Sequence, residues 1–91
     1  MRIRHERDTY RFLGDTPSGA AVLAYAPAGP GALELYSTYV PAAERGRGLG
    51  GQLVEAAVAY AREHGLRIIP TCWYVAEWLG THPEHRDLVE G

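Results

Sequence analysis

The stretch from Tyr36 to Trp73, YSTYVPAAERGRGLGGQLVEAAVAYAREHGLRIIPTCW, leaves few folds open to this chain. Strand-favouring residues lead into a loop of arginine and glycine, and a long segment of periodic apolar residues follows. Leu49, Leu53, Val54, Ala57, Val58 and Ala61 recur on one helical face between Leu49 and His64. Gln52, Glu55, Arg62 and Glu63 fall mainly on the other face, and Gly65 stands where a helix stops. Arg67 to Pro70 is too short for a helix and too apolar in its middle for anything but a buried strand. A strand, a helix of roughly four turns and a strand, joined by short loops, make a right-handed crossover whose two strands run parallel.

The flanking segments supply a meander. Thr9 to Leu13 and Ala20 to Tyr25 read as a hairpin around the turn formers Gly14-Asp-Thr-Pro-Ser-Gly19, closed by a second loose loop at 27–31. Ala32 to Val40 is the third strand, with Leu33, Leu35 and Ser37 on one side and Glu34, Tyr36 and Thr38 on the other. Trp73 to Thr81 reads as a second helix, and Glu84 to Val89 as a last helical turn that packs Leu88 and Val89 on the body. The expected fold is α/β with a mixed sheet: three antiparallel strands, a long helix, a fourth parallel strand and a C-terminal helix.

With 91 residues the chain is one domain, residues 1–91, burying about 60 to 65% of its unfolded surface, too little for a doubly wound sheet with two nucleotide-binding halves. A net charge of −2 gives no electrostatic reason to expect nucleic acid or an anionic membrane as partner, so any anion site is local. All nine basic residues are arginine, a pattern that genome bias explains as readily as function. Met1 to Arg7 is charged with no apolar segment behind it, neither a signal peptide nor a membrane span. One cysteine forms no internal disulfide, which fits a reducing, cytoplasmic setting.

Arg45-Gly-Arg-Gly-Leu-Gly-Gly51 lies between strand and helix, where free amides and the positive end of the helix dipole favour an anion. Glycine at 46, 48, 50 and 51 lets amides approach a phosphate, and Arg45 and Arg47 add charge that binds phosphate through paired donors. Together they describe a diphosphate cradle; the bland alternative is a solvated turn whose arginines do nothing. Gly46-x-Gly48-x-x-Gly51 satisfies the dinucleotide fingerprint literally, but the next strand ends in Pro70-Thr71-Cys72 where that fingerprint wants a ribose-binding acid. A nucleoside triphosphate loop needs a lysine, and the chain has none.

Arg45-x-x-Gly48-x-Gly50 is similar to the pyrophosphate-loop signature of the GCN5-related N-acetyltransferases. With Thr38-Tyr-Val-Pro41 before the loop, Pro70-x-Cys72 after the helix and His82-Pro-Glu-His-Arg-Asp-Leu-Val89 beyond, residues 9–89 resemble the minimal, single-domain branch of that family. The resemblance implies acetyl-CoA in a notch where the third and fourth strands splay apart. It places the pantetheine arm on backbone groups near Tyr39 and Val40, and the diphosphate on the amides of Gly46, Arg47, Gly48, Leu49, Gly50 and Gly51 with the side chain of Arg45 or Arg47. The branch often carries histidine at the position aligned with Ser37, so this chain departs from it there.

Cys72 follows the short strand, at the same sheet edge as the loop. In the resembling branch this cysteine is the candidate acyl acceptor; the other readings are a proton donor to the departing CoA sulfur, a pocket wall, or a small buried apolar side chain. An amine acceptor must lose a proton, for which Glu34 and Glu77 are the nearest carboxylates, with Tyr74 a proton donor. Cys72, His82 and His85 match no zinc spacing, so no metal is expected. Of Tyr36, Tyr39, Trp73, Tyr74 and Trp78, core packing should claim most, leaving one or two to wall the channel. The leading expectation is a small acetyl-CoA-dependent N-acetyltransferase acting on an amine that the sequence does not name. A CoA or acyl-CoA sensor without turnover is the competing class, and a nicotinamide dinucleotide protein the third. Nothing in the sequence speaks to oligomeric state.

Overall fold

A computed structural model describes residues 1–90. Five strands form one sheet in chain order: β1 (Ile3–Glu6), β2 (Arg11–Thr16), β3 (Gly19–Pro27), β4 (Ala32–Tyr39) and β5 (Arg67–Pro70). The first four are antiparallel, and β5 joins β4 in parallel. The crossover helix α1 (Leu49–Glu63) links β4 to β5, and α2 (Trp73–Gly80) follows β5. Short 3-10 turns occupy Ala42–Glu44 and Pro83–Leu88. The α/β class, the meander and the crossover are those the sequence predicts.

The apolar stripe of α1 is buried as its spacing requires, with Leu53, Val54, Ala57, Val58 and Ala61 packed on Leu23, Leu35 and Ile68. Each fully buried aliphatic side chain contributes roughly 1.5–3 kcal/mol. The packing of α2 beside α1 depends on the first turn of α1. A Cβ on Gly50 would stand 2.8 Å from the Tyr74 hydroxyl, and one on Gly51 2.9 Å from Trp78 Nε1. The outer edge of β5 is covered by the end of the chain, where Val89 bridges Ile68 and the Glu90 amide donates to the Ile68 carbonyl at 2.8 Å. An otherwise open edge is thereby blunted.

The structure departs from the sequence reading in four places. Ile3–Glu6, read from the sequence only as part of a charged N-terminus, is the edge strand β1, because Ile3 and His5 point inward while Arg4 is exposed. The strand expected from Thr9 begins instead at Arg11, since Tyr10 adopts φ 57° in the turn between β1 and β2. Gly14, Asp15 and Thr16, expected in the turn, continue β2, and the reversal tightens to Pro17-Ser18 with the Thr16 hydroxyl donating to the Gly19 carbonyl at 2.6 Å.

The fourth departure lies in β4. Ala24 pairs with Ser37 but Tyr25 pairs with Leu35, so Tyr36 is an extra residue, a β-bulge that resets the alternation. Thr38, expected opposite Leu33 and Leu35, pairs with fully buried Leu23 and joins their face, and Ser37 goes to the other.

His5 ties β1 to the body. It stacks on Phe12 at 4.0 Å between ring centroids, meets the ring of Tyr60 at 4.5 Å, and places Nε2 2.6 Å from the Tyr25 hydroxyl. Burial, followed by the charges of Arg7 and His64, holds its pKa below the ordinary histidine value. The unfolded chain therefore binds a proton near pH 6.5 that the folded chain refuses, and stability is lost as pH falls through that value toward the folded-state pKa. The urea midpoint is expected to decline between about pH 7 and 5. In His5→Asn the decline should be shallower, and an equal slope in both proteins would assign it to other groups.

Candidate functional site

The site begins where a strand is missing. Pairing between β4 and β5 ends at Leu35 and Pro70, and the Cys72 amide makes the last cross-strand bond, to the Leu35 carbonyl at 3.0 Å. Beyond that point β4 runs on beside no partner on this edge, because the chain turns at Cys72 into α2. The gap is a cleft of about 530 Å³ between Thr38–Val40 and Cys72–Tyr74, with the loop before α1 at its end. Of the residues singled out in the sequence, Tyr39, Val40, Arg45, Gly46, Gly48, Leu49, Gly50 and Cys72 line this one cleft, whereas Arg47 and Gly51 do not.

The loop is shaped by two of its glycines. Gly46 and Gly48 hold φ 84° and 76°, and a Cβ at either would meet nothing within 4 Å, so the left-handed backbone rather than crowding requires glycine there. Gly50 and Gly51 answer a different demand, the close approach of α2. Gly48 caps α1 without a side-chain hydrogen bond, and the amide of Gln52 is the first to bond back, to the Gly48 carbonyl at 3.2 Å. The amides of Leu49, Gly50 and Gly51 thus precede the first intrahelical bond, at the positive end of the dipole. No acidic residue stands in that first turn.

The arginines are partly engaged by the protein itself. Arg45 donates from Nε to the Val40 carbonyl at 2.9 Å and is one of the residues that line the cleft. Arg47 is exposed, with a terminal nitrogen 3.6 Å from Glu44 Oε1. Glu44, only 6% exposed, accepts from the Ser18 hydroxyl at 3.0 Å and so ties the loop to the β2–β3 turn. Sequence reasoning missed Glu44, since a carboxylate beside two arginines reads as solvated surface.

At the other wall Cys72 is 8% exposed. The Thr38 hydroxyl lies 3.5 Å from its sulfur. Burial pushes the thiol pKa up, yet the net direction is down, because the Thr38 hydroxyl and the amides of Val75, Tyr74 and Thr38 all favour the thiolate. The sulfur closes no cap hydrogen bond on α2, so the amides there act as oriented dipoles rather than as bonded donors. Burial, then the charge of Glu77, raises the pKa of Tyr74, which lines the same cleft as a neutral phenol.

The remaining candidates fall elsewhere. Glu34 accepts from the Thr71 hydroxyl at 2.8 Å and Glu77 is exposed on α2; neither lines the cleft. His82 stacks on Trp78 at 3.7 Å and faces its carbonyl through Nδ1 at 2.7 Å, while His85 lies along the same ring. Among the described residues no group of three His, Cys, Asp or Glu side chains could hold a metal ion, and no helix is long and apolar enough to cross a membrane. The expectation that core packing claims most of the aromatic residues fails. Tyr36, Tyr39 and Trp73 are exposed, Trp73 by 73%, because the bulge and the turn into α2 aim them outward, and only Tyr74 and Trp78 pack against α1.

Comparison with known proteins gives a consistent result. A family model described as GCN5-related N-acetyl-transferase matches residues 10–88. Protein NATD1 of Gallus gallus is 38% identical over 85 residues, covering 91% of this chain and 77% of that protein. Protein NATD1 of Bos taurus is 34% identical over 85 residues, covering 91% and 75%. An NMR solution structure of a GCN5-like protein from Staphylococcus aureus superimposes with a TM-score of 0.79 at 27% identity, covering 99% of this chain and 88% of that one.

The two classes of glycine predict different mutational behaviour. In Gly50→Ala the new methyl group meets the Tyr74 ring, and overpacking of about 1–3 kcal/mol outweighs the roughly 1 kcal/mol gained in helix propensity. Urea unfolding should show net destabilisation, largely relieved against a Tyr74→Ala background. Strictly additive effects would place the cost elsewhere.

Proposed function

The chain belongs to the GCN5-related N-acetyltransferase family and is an N-acetyltransferase, and from this premise we propose that it carries an acetyl group from acetyl-CoA to an amine by way of Cys72. What carries the reading is that the opening amides of α1 and the polarised thiol of Cys72 line one cleft. A phosphate-bearing, elongated thioester has the shape and charge to lie between them. Its diphosphate would rest on the amides of Leu49 and Gly50 and on the terminal nitrogens of Arg45, with its arm along the unpaired edge of β4.

In the first step the Cys72 thiolate forms a bond to the acetyl carbon, the carbon–sulfur bond to CoA breaks, and CoA leaves as a thiolate that takes up a proton, for which the neutral phenol of Tyr74 in the same cleft is the donor we assign. In the second, the amine bonds to the acetyl carbon, the bond to Cys72 breaks, and the sulfur departs as the thiolate that its surroundings favour. The amine's proton goes to solvent or to Tyr74, which the first step left ionised. The burial of Cys72 limits the access of water to the acyl group.

Incubation with acetyl-CoA should place an acetyl group on the peptide containing Cys72, read by mass spectrometry, and an added amine pool should discharge it. Transfer to amines at an undiminished rate in Cys72→Ala would overturn the cysteine relay. Calorimetry should show Arg45→Ala weakening CoA binding about tenfold, near 1.4 kcal/mol, and more than Arg47→Ala does, because Arg45 lines the cleft and Arg47 is drawn to Glu44. Unfolding midpoints of both variants should move little.

A further inference from the structure

Thr38 is a half-buried residue of β4 that lines the cleft. It pairs across the sheet with Leu23, on the face that carries α1. A hydroxyl on a partly buried face is held in one direction where a polar partner stands within reach. Among the described residues the only side-chain hydrogen-bond partner of Thr38 is Cys72 Sγ, at 3.5 Å. The contact exists because Tyr36 is an extra residue in β4. Without that bulge, alternation from Leu33 and Leu35 would bring Ser37 to this face and turn Thr38 away.

We propose that Thr38 is a positioning residue for Cys72: the bulge at Tyr36 turns its hydroxyl onto the sulfur, where it holds the side chain toward the cleft and donates to the thiolate. The inference rests on the reading of Cys72 as acyl carrier. A hydroxyl suits a sulfur that alternates between two states, because it both accepts and donates. When Cys72 is a thiol, S–H donates to Thr38 Oγ1; when it is a thiolate, the Thr38 O–H rotates to donate to sulfur. No covalent bond to Thr38 forms and no proton leaves it. The α2 amides are fixed in direction, so they favour the thiolate but accept nothing from the thiol. Thr38 alone follows the sulfur through both states, and its β-branch fixes χ1 so that the hydroxyl is held in place.

The test uses the fact that Cys72 is the only cysteine in the chain. The rate of its alkylation by iodoacetamide is measured against pH in the unaltered protein, Thr38→Val and Thr38→Ser. Thr38→Val keeps the branched shape and removes the hydroxyl. Its profile should shift to higher pH by up to about one unit, slowing alkylation at pH 7 by roughly three- to tenfold, and Thr38→Ser should restore most of the loss. If Thr38→Val does not fold, Thr38→Ala is read in the same way. Superimposable profiles, or a serine variant that behaves like valine, would overturn the proposal.

Labelling of the same proteins by acetyl-CoA separates this proposal from the one beneath it. A shifted alkylation profile with no acetyl group on Cys72 in any protein supports the Thr38 contact and sinks the acetyl relay. Acetylation of Cys72 with the same pH dependence in all three supports the relay and sinks the role of Thr38.

Discussion

The hydrogen bond from the Cys72 amide to the Leu35 carbonyl is the point from which the cleft is laid out. It is the last tie between β4 and β5, and two features of the sequence make it last. Pro70 has no amide to extend the ladder, and Thr71 bends the chain through a 3.2 Å bond from its amide to the Ile69 carbonyl. The eight-residue β4 therefore outruns the four-residue β5, and half of one edge is left without a strand. In a parallel crossover the end of each strand and the start of the following helix share one edge of the sheet. The start of α1 and the start of α2 consequently arrive at the same gap, bringing the glycine loop and Cys72 with them.

Much of this was legible in the sequence, where periodicity and punctuation agreed. The apolar spacing from Leu49, the stop at Gly65 and the shortness of Arg67–Pro70 specified the crossover, and the crossover placed Cys72 beside the loop. What stayed hidden depended on pairing partners. The bulge at Tyr36 is a relation between β3 and β4, and no alternation rule applied to β4 alone reveals it, so Thr38 was assigned to the wrong face. β1 carries only Ile3 and His5 as inward residues, and with Arg4 and Glu6 alternating between them so short a segment does not stand out in a reading by composition. The four glycines of the loop look alike as letters. Only the structure divides them into two that turn the backbone and two that admit Tyr74 and Trp78.

The charges around the loop bear on how an anion is held there. Arg45 spends one nitrogen on Val40, and Arg47 leans toward Glu44, a carboxylate buried under the same loop. An anion site built mainly from arginine charge would not place a carboxylate so near. The arrangement suits a site whose attraction comes first from backbone amides, with Arg45 as an addition and Glu44 as an anchor to the β2–β3 turn. Amides need no counter-charge to be held in place, and they keep their direction whether or not a ligand is bound.

The same economy extends to the sulfur. A chain this small has few side chains to spend on a reaction, and the ionised side chains that line the cleft, Glu44 and Arg45, belong to the segment before α1. The Cys72 thiol is tuned by dipoles that the fold supplies in any case: the opening amides of α2, the amide of Thr38 and one hydroxyl carried inward by a single inserted residue. Fixed dipoles aimed at a point where negative charge forms cost no reorganisation when it does form, which is why preorganised groups serve such sites well. The bulge is then more than an irregularity of β4. It turns a hydroxyl toward Cys72 at the place where the missing strand leaves room for a substrate.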